Sequence, residues 1–385
     1  MRHFAGLQPE LQEQLFHVPP SPFTRGSDPA LLAVALGATL YAPATRARLA
    51  LDVERRAAAG VTSMVVCLED AVADDEVERA QRHAVAELAQ VDPERAPLLF
   101  VRVRRPEQVV EIARGLGDRL PVLTGFVVPK FTEASGAFLE AVEAAQHEAG
   151  VRLLAMPVIE SPVVVHRETR VDALVGIARL LDKHRQSVLS VRIGATDLCS
   201  AFGLRRDREL TVYDVHPVAS AIGDIVNLLG RADGSGFTVS GPVWEYFSGH
   251  ERLFRPMLRA TPFEREDAAA LRQDLVTADI DGLIREVVLD KASGLTGKTV
   301  IHPSHVAPVH ALHVVTHEEW SDATDVLGTA AQGGVAASHY RNKMNESKPH
   351  TSWAQRILRR AEAFGVLAPE VSYVHLLAAL LAEAA

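Results

Sequence analysis

Two lone carboxylates, each placed where an apolar run stops, are the residues of this chain best suited to chemistry. Glu160 closes the run in Ala155-Met-Pro-Val-Ile-Glu-Ser-Pro162, and Asp197 follows Ser190-Val-Arg-Ile-Gly194 by one tight turn. Short continuous apolar runs are the pattern of parallel strands buried on both faces, and ligands collect at the carboxyl ends of such strands. Two acids at two such ends suit a hard divalent cation such as Mg²⁺, which takes oxygen ligands and keeps positions open for water or substrate. Capping of the helices that follow is the alternative reading of both residues.

Further charges recur at the same kind of place. Glu69 and Asp70 follow the run Ser63–Leu68, Arg102 lies near the end of Leu98–Val103, and Lys130 ends Gly125–Lys130. With Ala38–Ala42, Leu153–Ile159, Val188–Ile193, Phe237–Ser240 and Lys298–Ile301 these runs make eight predicted strands. Amphipathic stretches such as 137–149 and 171–182 fall between them, which predicts right-handed crossovers and a parallel sheet. Eight alternating units predict a closed (β/α)8 TIM barrel of the α/β class, with its chemistry at the carboxyl ends of the strands. Thr45 is expected to open a helix with Arg46 and Arg48 in its first turn. An anion could bind there, and a solvated helix face is the other reading.

The flanks divide the chain into an N-terminal extension (1–35), a barrel domain (36–310) and a C-terminal region (311–385). Pro19-Pro-Ser-Pro22 is read as a rigid break before the first regular element. The C-terminal region is expected to hold helices near 318–330 and 352–364. They flank the polar segment Ser338–His350, expected to be a lid over the barrel mouth from this chain or a neighbour. A terminal helix is expected from Val374. His310, His313 and His317 are expected to decorate a helix, and His302, at the end of the eighth strand, to orient a ligand. His302-Pro-Ser-His305 lacks the spacing and further ligands of a zinc site. Gly294-Leu-Thr-Gly-Lys-Thr299 is too tightly spaced for a phosphate loop and leads into a strand instead of leaving one.

Composition bounds the partners. The chain has 385 residues, 48% hydrophobic and 23% charged, with a formal net charge of −9. That balance disfavours nucleic acid, and no segment reads as a membrane span. Two cysteines, Cys67 and Cys199, give no disulfide framework and suit a cytoplasmic setting.

The ordered landmarks resemble the HpcH/HpaI aldolase and citrate lyase beta-subunit superfamily. They are Tyr41-Ala-Pro…Arg46, Leu68-Glu-Asp-Ala-Val72, Val101-Arg-Val103, Pro129-Lys130, Ile159-Glu-Ser161, Gly194-Ala-Thr-Asp197, Gly297-Lys-Thr-Val-Ile-His-Pro303 and Lys343-Met-Asn-Glu346. A long middle insertion and the Asn342–His350 tail look closest to the carbon–carbon bond lyase branch that accompanies tellurium-resistance clusters. The resemblance implies Mg²⁺, with Mn²⁺ as its substitute, held by Glu160 and Asp197. It also implies a substrate carboxylate gripped by Arg102, support from Glu69 and Asp70, and proton transfer by Glu346, sometimes from a neighbouring subunit. Lys130 is expected as a charge support, and Arg46, Arg48, Arg104, His302 and Lys343 as substrate-binding groups.

Four departures stand out, one of them Glu346 in place of an aspartate and followed by Ser-Lys-Pro. Cys67 replaces an aspartate, Arg104 replaces an asparagine and adds a cation, and the Pro43–Arg48 segment is short for gripping coenzyme A phosphates. The implied activity is a Mg²⁺-dependent lyase or aldolase acting on a small anionic hydroxy or keto acid, with a coenzyme A thioester left open. Enolate transfer of the phosphoenolpyruvate or pyruvate type is one alternative, and a non-catalytic metabolite-binding barrel in a stress-response complex is another. The expected assembly is a homo-oligomer, trimeric or hexameric.

Overall fold

The computed structural model describes residues 1–247, 280–330 and 334–384. Eight parallel strands close into a barrel: β1 (Ala38–Pro43), β2 (Ser63–Cys67), β3 (Leu98–Arg102), β4 (Gly125–Val128), β5 (Leu154–Ile159), β6 (Val191–Ile193), β7 (Val239–Trp244) and β8 (Lys298–Val300). Each predicted run overlaps one of these strands, although the seventh, expected at Phe237–Ser240, shares only Val239 and Ser240 with β7. Closure is made by β1 pairing with both β2 and β8, Thr39 lying opposite Ser63 on one side and Thr299 on the other.

The apolar runs are continuous because both strand faces are covered. Outward residues such as Val66, Val101, Phe126 and Ala155 pack with Leu139, Ile177 and Ile222 of the surrounding helices. Inward residues Val65, Phe100, Val127, Met156 and Val158 fill the barrel. That second core continues below the strands, where it reaches Leu312 and Phe364. The cap there closes the amino-terminal end of the barrel, opposite the end that presents Glu160 and Asp197.

Several expectations need correction. Thr45 opens no helix: residues 44–48 form a turn, and the helix Leu49–Ala58 starts with Arg48 at its N-cap. A helix, Pro9–Leu15, and a short strand, Phe16–Val18, precede the Pro19–Pro22 break, and the strand pairs with Val366–Leu367. His310 and His313 do not decorate a surface. They are buried on helix Val306–His313 beneath the barrel, with the His3 ring 4.5 Å from that of His310 and 4.2 Å from that of Phe364. The Gly297 N–H donates to Nε2 of His313, whose Nδ1 faces the Val309 carbonyl, so this imidazole is neutral; burial pushes it down to about 3.

The polar segment does not cover its own barrel mouth. Val335–Ala337 and Met344–Glu346 form a small hairpin on the helices His317–Thr329 and Ser347–Phe364, which belong to the cap. Asp322 anchors it, accepting from Ser338 Oγ at 2.6 Å and Asn345 Nδ2 at 2.8 Å.

Behind β8 lies a buried ionic network. Lys298 Nζ sits 2.9 Å from Glu286 Oε1 and 2.7 Å from Asp290 Oδ2, all three out of solvent. Arg206 pairs with the other Glu286 oxygen, and the Tyr213 hydroxyl donates to Asp290 at 2.7 Å. The network ties helix Ile280–Ala292 to the 204–214 loop, on the side of the barrel that carries Asp197.

Candidate active site

The carboxyl ends of β1, β2, β3, β5, β6, β7 and β8 surround a cavity of about 210 Å³ whose lining includes Tyr41, Asp70, Arg102, Glu160, Arg192 and Asp197. A larger hollow of about 940 Å³ lies at the opposite end, between the helix Ser347–Phe364 and the strand entrances. Convergent charge, more than volume, marks a reactive site, and the smaller cavity has it.

Glu160 follows β5 directly and is buried. Its Oε1 accepts from Arg102 at 2.8 Å and from the backbone N–H of Lys130 at 2.8 Å. Lys130 presents that N–H from a left-handed backbone, φ 49°, a costly conformation for a side-chain-bearing residue that a site tolerates where it aims a group. The Ser161 hydroxyl donates to the Lys130 carbonyl and locks the ends of β4 and β5 together. Gly194 supplies the room on the other side, since a Cβ there would lie 2.0 Å from Glu160 Oε2. The glycine of the Gly-x-x-Asp motif thus has a steric reason. Asp197, three residues on, sits in the first turn of helix Ala195–Ser200 and lines the same cavity.

Arg102 meets three acids through its Nη2, Glu160 at 2.8 Å, Glu69 at 2.9 Å and Asp70 at 3.5 Å, while its Nε has no hydrogen-bond partner among the described residues. Lys130 Nζ lies 2.5 Å from Glu69 and 3.2 Å from Asp70. Burial pushes the Glu160 carboxyl up to about 7, against the pull of Arg102 and with Asp197 adding to the rise. Burial also raises Glu69. The more open Asp70 is lowered, because the pull of Glu69, Arg102 and Lys130 outweighs its own burial.

Glu69, Asp70 and Glu160 share the cations Arg102 and Lys130, and Asp197 lines the cavity with no ion pair to either among the described residues. Among the described residues no group of three or more His, Cys, Asp or Glu side chains converges on a point. Glu160 and Asp197 line the same cavity, and as two carboxylate donors they could hold a hard divalent cation such as Mg²⁺.

The remaining candidates fall elsewhere. Arg104 is not a free cation. Its guanidinium donates to the carbonyls of Leu68 at 2.7 Å, Glu69 at 2.9 Å and Val72, and pairs with Asp74, so it braces the loop that carries Glu69 and Asp70. Arg46 pairs with Asp52 at 2.9 Å on the outer rim, and Arg48 is exposed beside it; neither lines the cavity. His302 follows β8 and stacks on Phe247 at 4.5 Å, one residue beyond the lining residue Ile301. Lys343 is held by Glu318 at 2.5 Å and Asp322 at 2.8 Å on the cap. Glu346 is exposed on the same hairpin, at the wrong end of its own barrel to reach Glu160.

Arg192 was not singled out from the sequence. It projects from the middle of β6 into the barrel floor, where its Nη2 donates to Thr299 Oγ1 at 2.6 Å and its Nη1 to Thr39 Oγ1 at 3.3 Å. The signal was present: an arginine inside the apolar run Val191-Arg-Ile193.

Two solved structures share this fold. A citrate lyase from Burkholderia xenovorans LB400 is similar with a TM-score of 0.60 and 18% identity, covering 89% of this chain and 96% of that one. CitE from Mycobacterium tuberculosis, in complex with magnesium, acetoacetate and coenzyme A, is similar with a TM-score of 0.52 and 22% identity, covering 86% and 99%. No curated protein matches the sequence. No helix among the described residues is long and apolar enough to cross a membrane. The family described as C-C bond lyase of the TIM-barrel fold matches residues 30–366, and with its closed barrel and acid-lined mouth the chain belongs to that family of carbon–carbon bond lyases.

Proposed function

We propose that the chain is a Mg²⁺-dependent carbon–carbon bond lyase or aldolase acting on a small anionic hydroxy or oxo acid. The observation that carries this reading is the meeting of Glu160 and Asp197, from adjacent strand ends, in one cavity whose wall also presents Arg102. These two carboxylates would hold the ion, and Mn²⁺ suits the same donors. A bound Mg²⁺ supplies Lewis-acid stabilisation for the negative charge that builds on the substrate's carbonyl oxygen as the carbon–carbon bond breaks. The presence of magnesium with a small oxo acid in the Mycobacterium tuberculosis CitE complex fits this donor set.

The chain's own groups orient. Glu69 and Asp70 hold Arg102 and Lys130 against the cavity wall, so the cations are fixed before a substrate arrives. The acids meet Arg102 at Nη2, and its Nε is without a hydrogen-bond partner among the described residues. The test is cleavage of candidate hydroxy acids, followed by product analysis, with Mg²⁺ and after chelation. Turnover should fall at least a hundredfold on chelation and return on adding Mg²⁺. Unchanged turnover in excess chelator would end this reading.

Proton transfer is assigned to Glu346 of a neighbouring subunit in a homo-oligomer, because the fold carries a chain's own Glu346 away from its mouth. Glu160→Gln and Glu346→Gln should each be inactive alone. Co-expressed, they should recover roughly a quarter of wild-type activity through cavities that combine one intact acid from each chain. Hybrid oligomers without recovered activity would remove Glu346 from the mechanism.

A further inference from the structure

Four arginines are buried among the described residues: Arg102, Arg170, Arg192 and Arg206. Three of them face an acid. Arg102 has Glu160 and Glu69, Arg170 has Asp224 at 2.8 Å, and Arg206 has Glu286. Arg192 has none among the described residues. It is 1% exposed, and its partners are the hydroxyls of Thr39 and Thr299, the Met156 sulfur at 3.9 Å and the face of Tyr41, with the guanidinium carbon 5.8 Å from the ring centre. Its Nε has no hydrogen-bond partner among the described residues. A buried charge is ordinarily paired, since an unpaired one carries its full desolvation penalty. Here the unpaired one is also one that lines the candidate cavity.

The placement gives this unpaired charge a chemical meaning. Arg102 also has an unpartnered Nε, but its charge is already balanced by three carboxylates at Nη2, whereas Arg192 faces no acid among the described residues. Arg192 sits on β6, whose next turn carries Asp197, and pairs across to Val158, two residues before Glu160. A ligand whose oxo-acid end lies at Glu160 and Asp197 has its other end directed toward Arg192 on the floor. The cavity, at about 210 Å³, has the volume of roughly seven liquid waters, which suits a short acid.

We propose that Arg192 is the second anion site of the cavity: its guanidinium binds the far carboxylate of the substrate, so the preferred ligand is a short dicarboxylic oxo or hydroxy acid and not the corresponding monoacid. This inference rests on the same cavity as the lyase reading, but it concerns binding and needs no turnover. Burial holds the guanidinium's pKa below its ordinary value, as expected of a cation that lacks its counter-ion.

The test is a pair of equally long ligands, 2-oxoglutarate and 2-oxopentanoate, titrated calorimetrically into the full chain with Mg²⁺ present. The wild type should bind 2-oxoglutarate at least tenfold more tightly. Arg192→Met should lose that preference by weakening 2-oxoglutarate alone, and should melt no lower than the wild type, because an unpaired buried charge has been removed. Arg192→Lys should keep some of the preference, since it retains the charge without the fork. Equal wild-type affinities for the two ligands would overturn the proposal even if the variants did not fold. Equal weakening of both ligands by Arg192→Met would also overturn it, as a purely structural arginine would do that. A diacid preference that depends on Arg192, in a protein that cleaves no acid, would leave this site standing and remove the lyase reading.

Discussion

Glu160→Gln is expected to lower kcat/KM by about three orders of magnitude and to abolish Mg²⁺ binding at the barrel mouth, as read by steady-state kinetics and calorimetric titration. The amide is nearly isosteric, so it still fits beside Gly194 and can still accept the Lys130 N–H. What it lacks is charge. Glu160 is the acid against which Arg102 is balanced, and it is one of two donors to the proposed ion. With the carboxylate gone, Asp197 alone would have to hold the ion, and a single monodentate oxygen is a weak Mg²⁺ ligand. Retention of more than a tenth of wild-type activity would show that the reaction does not run through this pair.

Lys298→Met carries the largest expected cost in stability, about 3–5 kcal/mol, because it removes one partner from a buried ion cluster and leaves the acids in place. Glu286 keeps Arg206, whereas among the described residues Asp290 keeps only the Tyr213 hydroxyl. Asp290 is already pushed up to about 6 by burial while Lys298 opposes the shift, so the variant should move it higher still. A carboxyl whose folded pKa is raised contributes stability that is present below its unfolded value, near 4, and is lost as pH rises through the folded value. The deficit of Lys298→Met should therefore be larger at pH 8 than at pH 5. Adding Asp290→Asn should return some of it at pH 8. Denaturant titrations at the two pH values measure both effects; a deficit that does not change with pH would show that Asp290 is not the stranded group.

The barrel was legible because its strands are buried on both sides and so write themselves as apolar runs, with charges gathering after their ends. The lone acids at 160 and 197 were legible for the same reason. What the sequence did not disclose depends on contacts across long separations. The pairing of Phe16–Val18 with Val366–Leu367 joins three-residue and two-residue strands too short to carry a period. The docking of Phe364 against His3 and His310 decides that the C-terminal helices cap the strand entrances and leave the mouth, and no local pattern encodes that choice. Arg104 looked like a free cation because its partners are backbone carbonyls, which side-chain spacing cannot reveal. Arg192 was hidden by its apolar neighbours, although a charge between two buried aliphatic residues is itself an anomaly to follow.

The brace that Arg104 forms has a thermodynamic consequence. Its guanidinium fastens to the segment from Leu68 to Asp74 through three main-chain oxygens and one carboxylate, so the loop bearing Glu69 and Asp70 has little freedom left to lose. The entropy of arranging those two acids is surrendered once, as the polypeptide folds, and not again in each catalytic cycle.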